Sequence, residues 1–189
     1  FNSITMKQNL KDYVKIYNLI DLNICDRTVG ILDSVEWQPH RFYSSSGLVD
    51  NGTEPFEYHQ HIETTQAIQQ SIWKSLKKYI LEDINFPWFP GWQGFSNLKF
   101  IKYTTGTEMS IHCDHIHSLY DGVNKGIPIL TIIGLLNDNF LGGDFVLFED
   151  YRLSLKKGDI VIFPSVFLFP HNVERIQQGI RYSVVSWSN

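Results

Sequence analysis

Ile68, Ile72, Trp73, Leu76, Tyr79 and Ile80 recur at intervals of three and four residues, the spacing that lines one face of a helix. The pattern predicts an amphipathic helix over about 63–81 whose apolar stripe packs into a core. Upstream, YVKIYNLI at 13–20 alternates well enough for a strand, and Asp21 is placed to cap a following helix through about 35. Residues 36–43 (EWQPHRFY) read as another strand, and SSSGLVDNGTEP reads as a loop rich in turn formers. FPWFPGWQGF cannot prolong a helix, because proline lacks the amide donor and fixes φ. Beyond it come short apolar runs at 97–103, 109–112, 129–137, 144–148, 160–164, 169–173 and 182–187, separated by turns such as TTGT, NFLGG and KKGD. Many short strands in succession predict a β-sandwich or barrel. The fold class is therefore mostly β with supporting helices, preceded by a β-α N-terminal region.

Composition narrows this picture. With 189 residues, 43% of them hydrophobic, the chain can build one substantial core. A single domain over 1–189 is expected, with a helical support region at 1–95 and a β core carrying the site at 96–189. The net charge of -4 and the lack of a Lys/Arg run disfavour nucleic acid as a partner. Two cysteines, Cys25 and Cys113, are too few for a disulfide framework and suit a reducing compartment. No apolar run approaches the roughly 20 residues of a membrane span. A soluble, cytoplasmic chain without a membrane partner is expected, which makes the Asn51-Gly52-Thr53 sequon a turn and not a glycan acceptor.

The chemistry-bearing residues sit in the strand-rich half. His112 and Asp114 are two apart, so on an extended strand both side chains leave one face. His171, in FPHNV, can complete a set of two imidazoles and one carboxylate. That set leaves open positions on Fe(II), although Zn(II) uses it too. His-x-Asp alone is common and weak. Arg181 follows His171 by ten residues across Gln177-Gln178-Gly179, which suggests the adjoining strand of a hairpin facing the same cavity. A guanidinium there can grip a carboxylate through two charge-assisted bonds of roughly 1.5–3 kcal/mol each. Its apolar flanks imply burial, where an unpaired arginine is costly.

Together these residues resemble the 2-oxoglutarate and Fe(II)-dependent oxygenases, in particular their prolyl 4-hydroxylase-like branch. Tyr103-Thr104-Thr105-Gly106, Leu135-Leu136-Asn137-Asp138, Leu141-Gly142-Gly143-Asp144, the run from Lys157 to Pro164 and Gly179-Ile180-Arg181 carry the resemblance through their order and spacing. It implies a double-stranded β-helix (jelly roll, cupin-like), with His112, Asp114 and His171 holding Fe(II). It also implies that Arg181 and Tyr103 bind the distal carboxylate of 2-oxoglutarate and that Thr131 hydrogen-bonds the same co-substrate. O2 is the second co-substrate, with ascorbate as a reductant. Trp187 and His115 are candidate substrate residues, while core packing for Tyr103 and Trp187 and plain solvation for His115 and His117 are the competing readings. Gly134 stands where relatives often carry tyrosine, which suggests a more open pocket. Asp144 stands where glutamate is frequent, and Cys113 reads as a small buried hydrophobe.

The implied reaction hydroxylates an unactivated C–H bond, foremost of prolyl residues in a peptide or protein partner, with release of succinate and CO2. The 44–55 or 115–127 loop would serve as a lid, and Trp37, Trp88 or Trp92 would line a groove if they are not core. Hydroxylation of a free amino acid or small molecule, oxidative demethylation of nucleic acid, zinc-dependent hydrolysis and a non-catalytic jelly-roll binding module are the alternatives.

Overall fold

The computed structural model describes residues 9–40, 54–89, 94–114 and 127–189, together with the backbone of two strands between 42 and 49. A short 3-10 turn, Leu10–Tyr13, leads into β1 (Lys15–Asn18) and α1 (Leu22–Leu32). Asp21 caps α1 as the sequence predicts, its Oδ1 accepting the amides of Asn23 at 2.8 Å and Ile24 at 3.3 Å. The helix stops at Leu32, short of 35. Next come β2 (Gln38–Pro39), a hairpin of β3 (Phe42–Ser44) and β4 (Gly47–Val49), and β5 (Phe56–Tyr58). The stretch expected to be one strand and a loop, 36–55, thus holds three short strands, with β5 just beyond it. Proline at 39 has no amide with which to continue the ladder.

α2 (Thr65–Lys78) runs on as a π-helical segment, Tyr79–Ile84, and ends where Asn85 takes a φ of 43°. Ile68, Ile72, Leu76, Tyr79 and Ile80 are buried as their spacing requires, and truncating one of these aliphatic residues would cost about 2–5 kcal/mol. Trp73 departs from the stripe: it is half exposed, its ring centroid 6.4 Å from that of Phe95. Among the described residues, no helix is long and apolar enough to cross a membrane.

The remaining strands are β6 (Lys99–Tyr103), β7 (Met109–His112), β8 (Leu130–Leu135), β9 (Leu141–Gly142), β10 (Phe145–Leu147), β11 (Tyr151–Leu153), β12 (Asp159–Pro164), β13 (His171–Val173), β14 (Ile176–Gln178) and β15 (Arg181–Ser188). β9, β11 and β14 were not legible, being two or three residues long and embedded in Gly-, Asp- and Gln-rich turns. A seven-stranded sheet, ordered β1-β12-β8-β15-β6-β5-β2, faces a four-stranded sheet, β11-β10-β13-β7. This is the expected double-stranded β-helix with helical support.

Strand periodicity divides the large sheet into two faces. Ile132, Ile160, Ile162, Tyr182 and Val184 point outward to pack with Ile68, Ile72 and Leu76 beneath the helices. Ile101, Tyr103, Ile133, Val161 and Phe163 point inward to meet Phe145, Leu147 and Val173 of the small sheet. The chemistry lies between the sheets.

Candidate metal centre

His112 ends β7, and its Cα is paired with that of His171 at the start of β13. Their rings lie 4.4 Å apart, centroid to centroid. Asp114 comes two residues later, past the strand end, and turns its Oδ1 toward both imidazoles, 3.5 Å from Nε2 of His112 and 3.7 Å from Nε2 of His171. One potential ligand atom from each residue falls within 4.8 Å of the others.

Each donor is oriented from behind. His112 Nδ1 lies 2.8 Å from the Ser110 carbonyl and His171 Nδ1 lies 3.1 Å from the Phe169 carbonyl. A carbonyl only accepts, so both Nδ1 atoms carry a proton, and in the neutral form of each ring the Nε2 lone pair is left to face the centre. Asp114 Oδ2 accepts from Thr131 Oγ1 at 2.7 Å and from the Trp187 indole at 3.0 Å. Thr131 Oγ1 is also 2.7 Å from Ser165 Oγ. Because the threonine hydroxyl gives its one proton to Asp114, Ser165 is the donor in that second bond. One carboxylate oxygen is thereby occupied and the other is left for a metal.

Burial and charge separate the two imidazoles. Burial drives His171 down to about 4 against the pull of Asp114. Burial acts on His112 in the same sense, but its hydrogen bond to Asp114 and that group's charge outweigh it and lift His112. Burial alone would raise Asp114; the His112 hydrogen bond and the His171 charge hold it well below the carboxylate range instead. An ionised carboxylate with neutral imidazole available beside it is the donor set that a divalent metal requires.

Arg181 opens β15 and is 1% exposed. Its Nη1 donates to Ser183 Oγ at 3.1 Å, and its guanidinium lies 5.1 Å from the centre of the buried Tyr103 ring. Among the described residues no carboxylate forms an ion pair with it. A buried cation without a counter-ion is costly, so the pocket suits a ligand bearing a carboxylate. Tyr103 feels both ends of the chamber, the charge of Arg181 and that of Asp114, while burial pushes its phenol up to about 12 and keeps it a neutral donor.

Residues 98–189 match the family model described as the 2OG-Fe(II) oxygenase superfamily. That segment, just under half of the chain, is similar to the superfamily over the strand-rich part that carries the candidate site. A PKHD-type hydroxylase of Thermosynechococcus vestitus is 32% identical over 96 residues, which are 48% of this chain and 41% of that protein. The chain therefore spans well under half the length of the curated relative it matches. A viral collagen prolyl hydroxylase from Paramecium Bursaria Chlorella virus-1, solved as its 2OG complex, is 12% identical with a TM-score of 0.67, covering 93% of this chain and 94% of that one. A Trichoplax adhaerens prolyl hydroxylase, solved with a hypoxia inducible factor peptide fragment, is 16% identical with a TM-score of 0.68, covering 94% and 83%. These structures share the oxygenase fold.

Several expectations are corrected in detail. Arg181 is not on a strand adjoining His171: β13 belongs to the four-stranded sheet and β15 to the seven-stranded one, so the arginine and the histidine of the candidate metal centre come from different sheets. Thr131 and Trp187 both hydrogen-bond Asp114, a contact the sequence did not mark. Gly134 does not widen the pocket, since a Cβ there would point at Val184 and Ile20 of the outer core, 2.8 and 2.9 Å away. Trp37 packs on Tyr58 and Tyr182, on that same outer side, and Trp88 stacks on Phe86. Asp144 is exposed, 3.8 Å from Arg152. Cys113 is only partly buried, its thiol 3.4 Å from the Phe167 carbonyl. His115, His117, Trp92, the sequon and most of the two lid candidates lie outside the described residues. Ser165 and Ser183 were missed, and nothing in a lone serine's sequence context could have marked them.

Proposed function

We propose that the chain is an Fe(II)- and 2-oxoglutarate-dependent dioxygenase that hydroxylates prolyl residues of a peptide or protein, releasing succinate and CO2. The observation that carries the reading is the buried Arg181, which forms no ion pair with a carboxylate among the described residues, on the large-sheet side of the same interior as His112, Asp114 and His171. Iron and 2-oxoglutarate, when bound, supply the oxidising power that no side chain has. The side chains bind, aim and shield. Arg181 and Tyr103 would hold the distal carboxylate of 2-oxoglutarate, leaving its oxo-acid end for the metal. Thr131 and Trp187 keep Asp114 turned to the two imidazoles. Phe145 and Phe163 pack on the His171 ring at 5.4 and 5.0 Å and keep water from that side.

Prolyl chemistry is supported by the solved relatives named as prolyl hydroxylases, one of them holding a peptide. The acidic balance of the chain favours a peptide over a nucleic acid. Anaerobic addition of Fe(II) and 2-oxoglutarate should give a visible charge-transfer band that His112→Ala removes. Exposure to proline-containing peptides in air should then add one oxygen to proline, read by mass spectrometry. Absence of the band sinks the iron assignment, and oxidation confined to nucleobases or free amino acids sinks the prolyl one.

A further inference from the structure

The ladder between β8 and β15 pairs Ser183 with Leu135, and one further bond, Leu136 N–H to the Tyr182 carbonyl at 3.0 Å, closes its end. Continued by one step, the antiparallel register would set Asn137 opposite Arg181. The backbone departs there, and the Asn137 side chain takes over. Its Oδ1 accepts the Tyr182 amide at 2.7 Å and its Nδ2 donates to the Ile180 carbonyl at 2.7 Å. These are the two peptide groups that flank the Arg181 Cα. A second Nδ2 bond, 2.7 Å to Asn139 Oδ1, fixes the amide orientation, and Asn137 itself is buried at 8% exposure.

Arg181 is thus held from both sides, by Tyr103 through the β6 ladder and by a side-chain amide acting as a substitute strand. Past the backbone, the arginine stem is confined by Gly143, where a Cβ would come within 3.3 Å of Arg181 Cδ. With its root and stem both fixed, the guanidinium has little freedom left.

We infer that Asn137 is the positioning residue that sets where Arg181 presents its guanidinium, and so governs affinity for the distal carboxylate of 2-oxoglutarate. The inference rests on the proposed role of Arg181. Asn137→Asp keeps the size and one acceptor but turns an oxygen onto the Ile180 carbonyl; Asn137→Ala is the second variant if the first does not fold. Binding to Mn(II)-loaded protein is measured for 2-oxoglutarate and for 2-oxobutanoate, which lacks the distal carboxylate, the weaker ligand being followed by paramagnetic broadening of its proton NMR signals.

Loss of about tenfold in 2-oxoglutarate affinity, with 2-oxobutanoate and Mn(II) binding within twofold of wild type, is the expected result. Unchanged 2-oxoglutarate affinity, or equal loss for both oxo acids, overturns the inference. Arg181→Met is the control that separates the two levels. If it leaves 2-oxoglutarate affinity intact, the anchor reading itself fails; if it lowers that affinity while the Asn137 variants do not, only the positioning role fails.

Discussion

Trp187 and Asp114 meet across the chamber, the indole of one donating to Oδ2 of the other at 3.0 Å. The carboxylate comes from the end of a small-sheet strand and the indole from the large sheet, so the orientation of one candidate metal ligand depends on the packing of both sheets.

Trp187→Phe keeps the ring and removes that donor. Its affinity for Mn(II) or Co(II), measured by calorimetric titration, is expected to fall about tenfold, the lower end of what such supporting partners contribute. Thr131→Val should shift it in the same direction. Unchanged affinity in both would show that the carboxylate needs neither partner.

Tyr103→Phe leaves an aromatic ring under the Arg181 guanidinium and takes away the hydroxyl. If that hydroxyl helps to hold the co-substrate, the 2-oxoglutarate KM should rise by about threefold to tenfold, as for one lost hydrogen bond, while Mn(II) affinity stays the same. A KM equal to wild type would return Tyr103 to a packing role.

Glu57 ties together three elements of the large sheet's edge. It contacts His40 Nδ1, lies 3.1 Å from His59 Nε2 and 3.2 Å from Lys99 Nζ. Burial would raise its pKa, but the two imidazole hydrogen bonds and the lysine charge outweigh it and bring the group from 4.5 down to about 2. A carboxyl depressed on folding stabilises the fold fully above its unfolded pKa and loses that contribution as pH falls through its folded value. The difference in Tm between wild type and Glu57→Gln should therefore be largest near neutral pH and shrink as pH drops from 4.5 toward 2. A difference independent of pH over that window would show that the charge contributes nothing.

Gly134→Ala places a methyl against Val184 and Ile20 on the helix-packed face. The expected outcome is a loss of about 1–3 kcal/mol in denaturant unfolding, with 2-oxoglutarate binding unaltered. A change in co-substrate affinity without loss of stability would put Gly134 back in the pocket.

That His112, Asp114 and His171 lie together could be read from the chain because a two-residue period joins the first pair and the setting of His171 in FPHNV, ten residues before Arg181, marked the third. The helical stripe at Ile68, Ile72 and Leu76 was also local. Contacts between sheets were not, because which inward residue of β15 faces which loop depends on how two sheets stack. Thr131 and Trp187 were singled out for that reason without their partner, and Arg181 was put on the wrong sheet. Gly134 was misassigned because the inward or outward sense of β8 is set by what packs on each side, and Ile132 and Ile133 are equally apolar. Asn137 lay within a recognised motif, yet its use as a stand-in for backbone is visible only where the strand breaks off.

The two faces of β15 have a consequence for how such a protein can change. Arg181, Ser183 and Trp187 look into the chamber, while Tyr182 and Val184 are bound into the layer under the helices. Reagent and scaffold are interleaved letter by letter along a single ribbon. Exchanges at every second position can retune what is bound without touching what holds the fold, whereas inserting or deleting a single residue would swap the two sets and lose both at once.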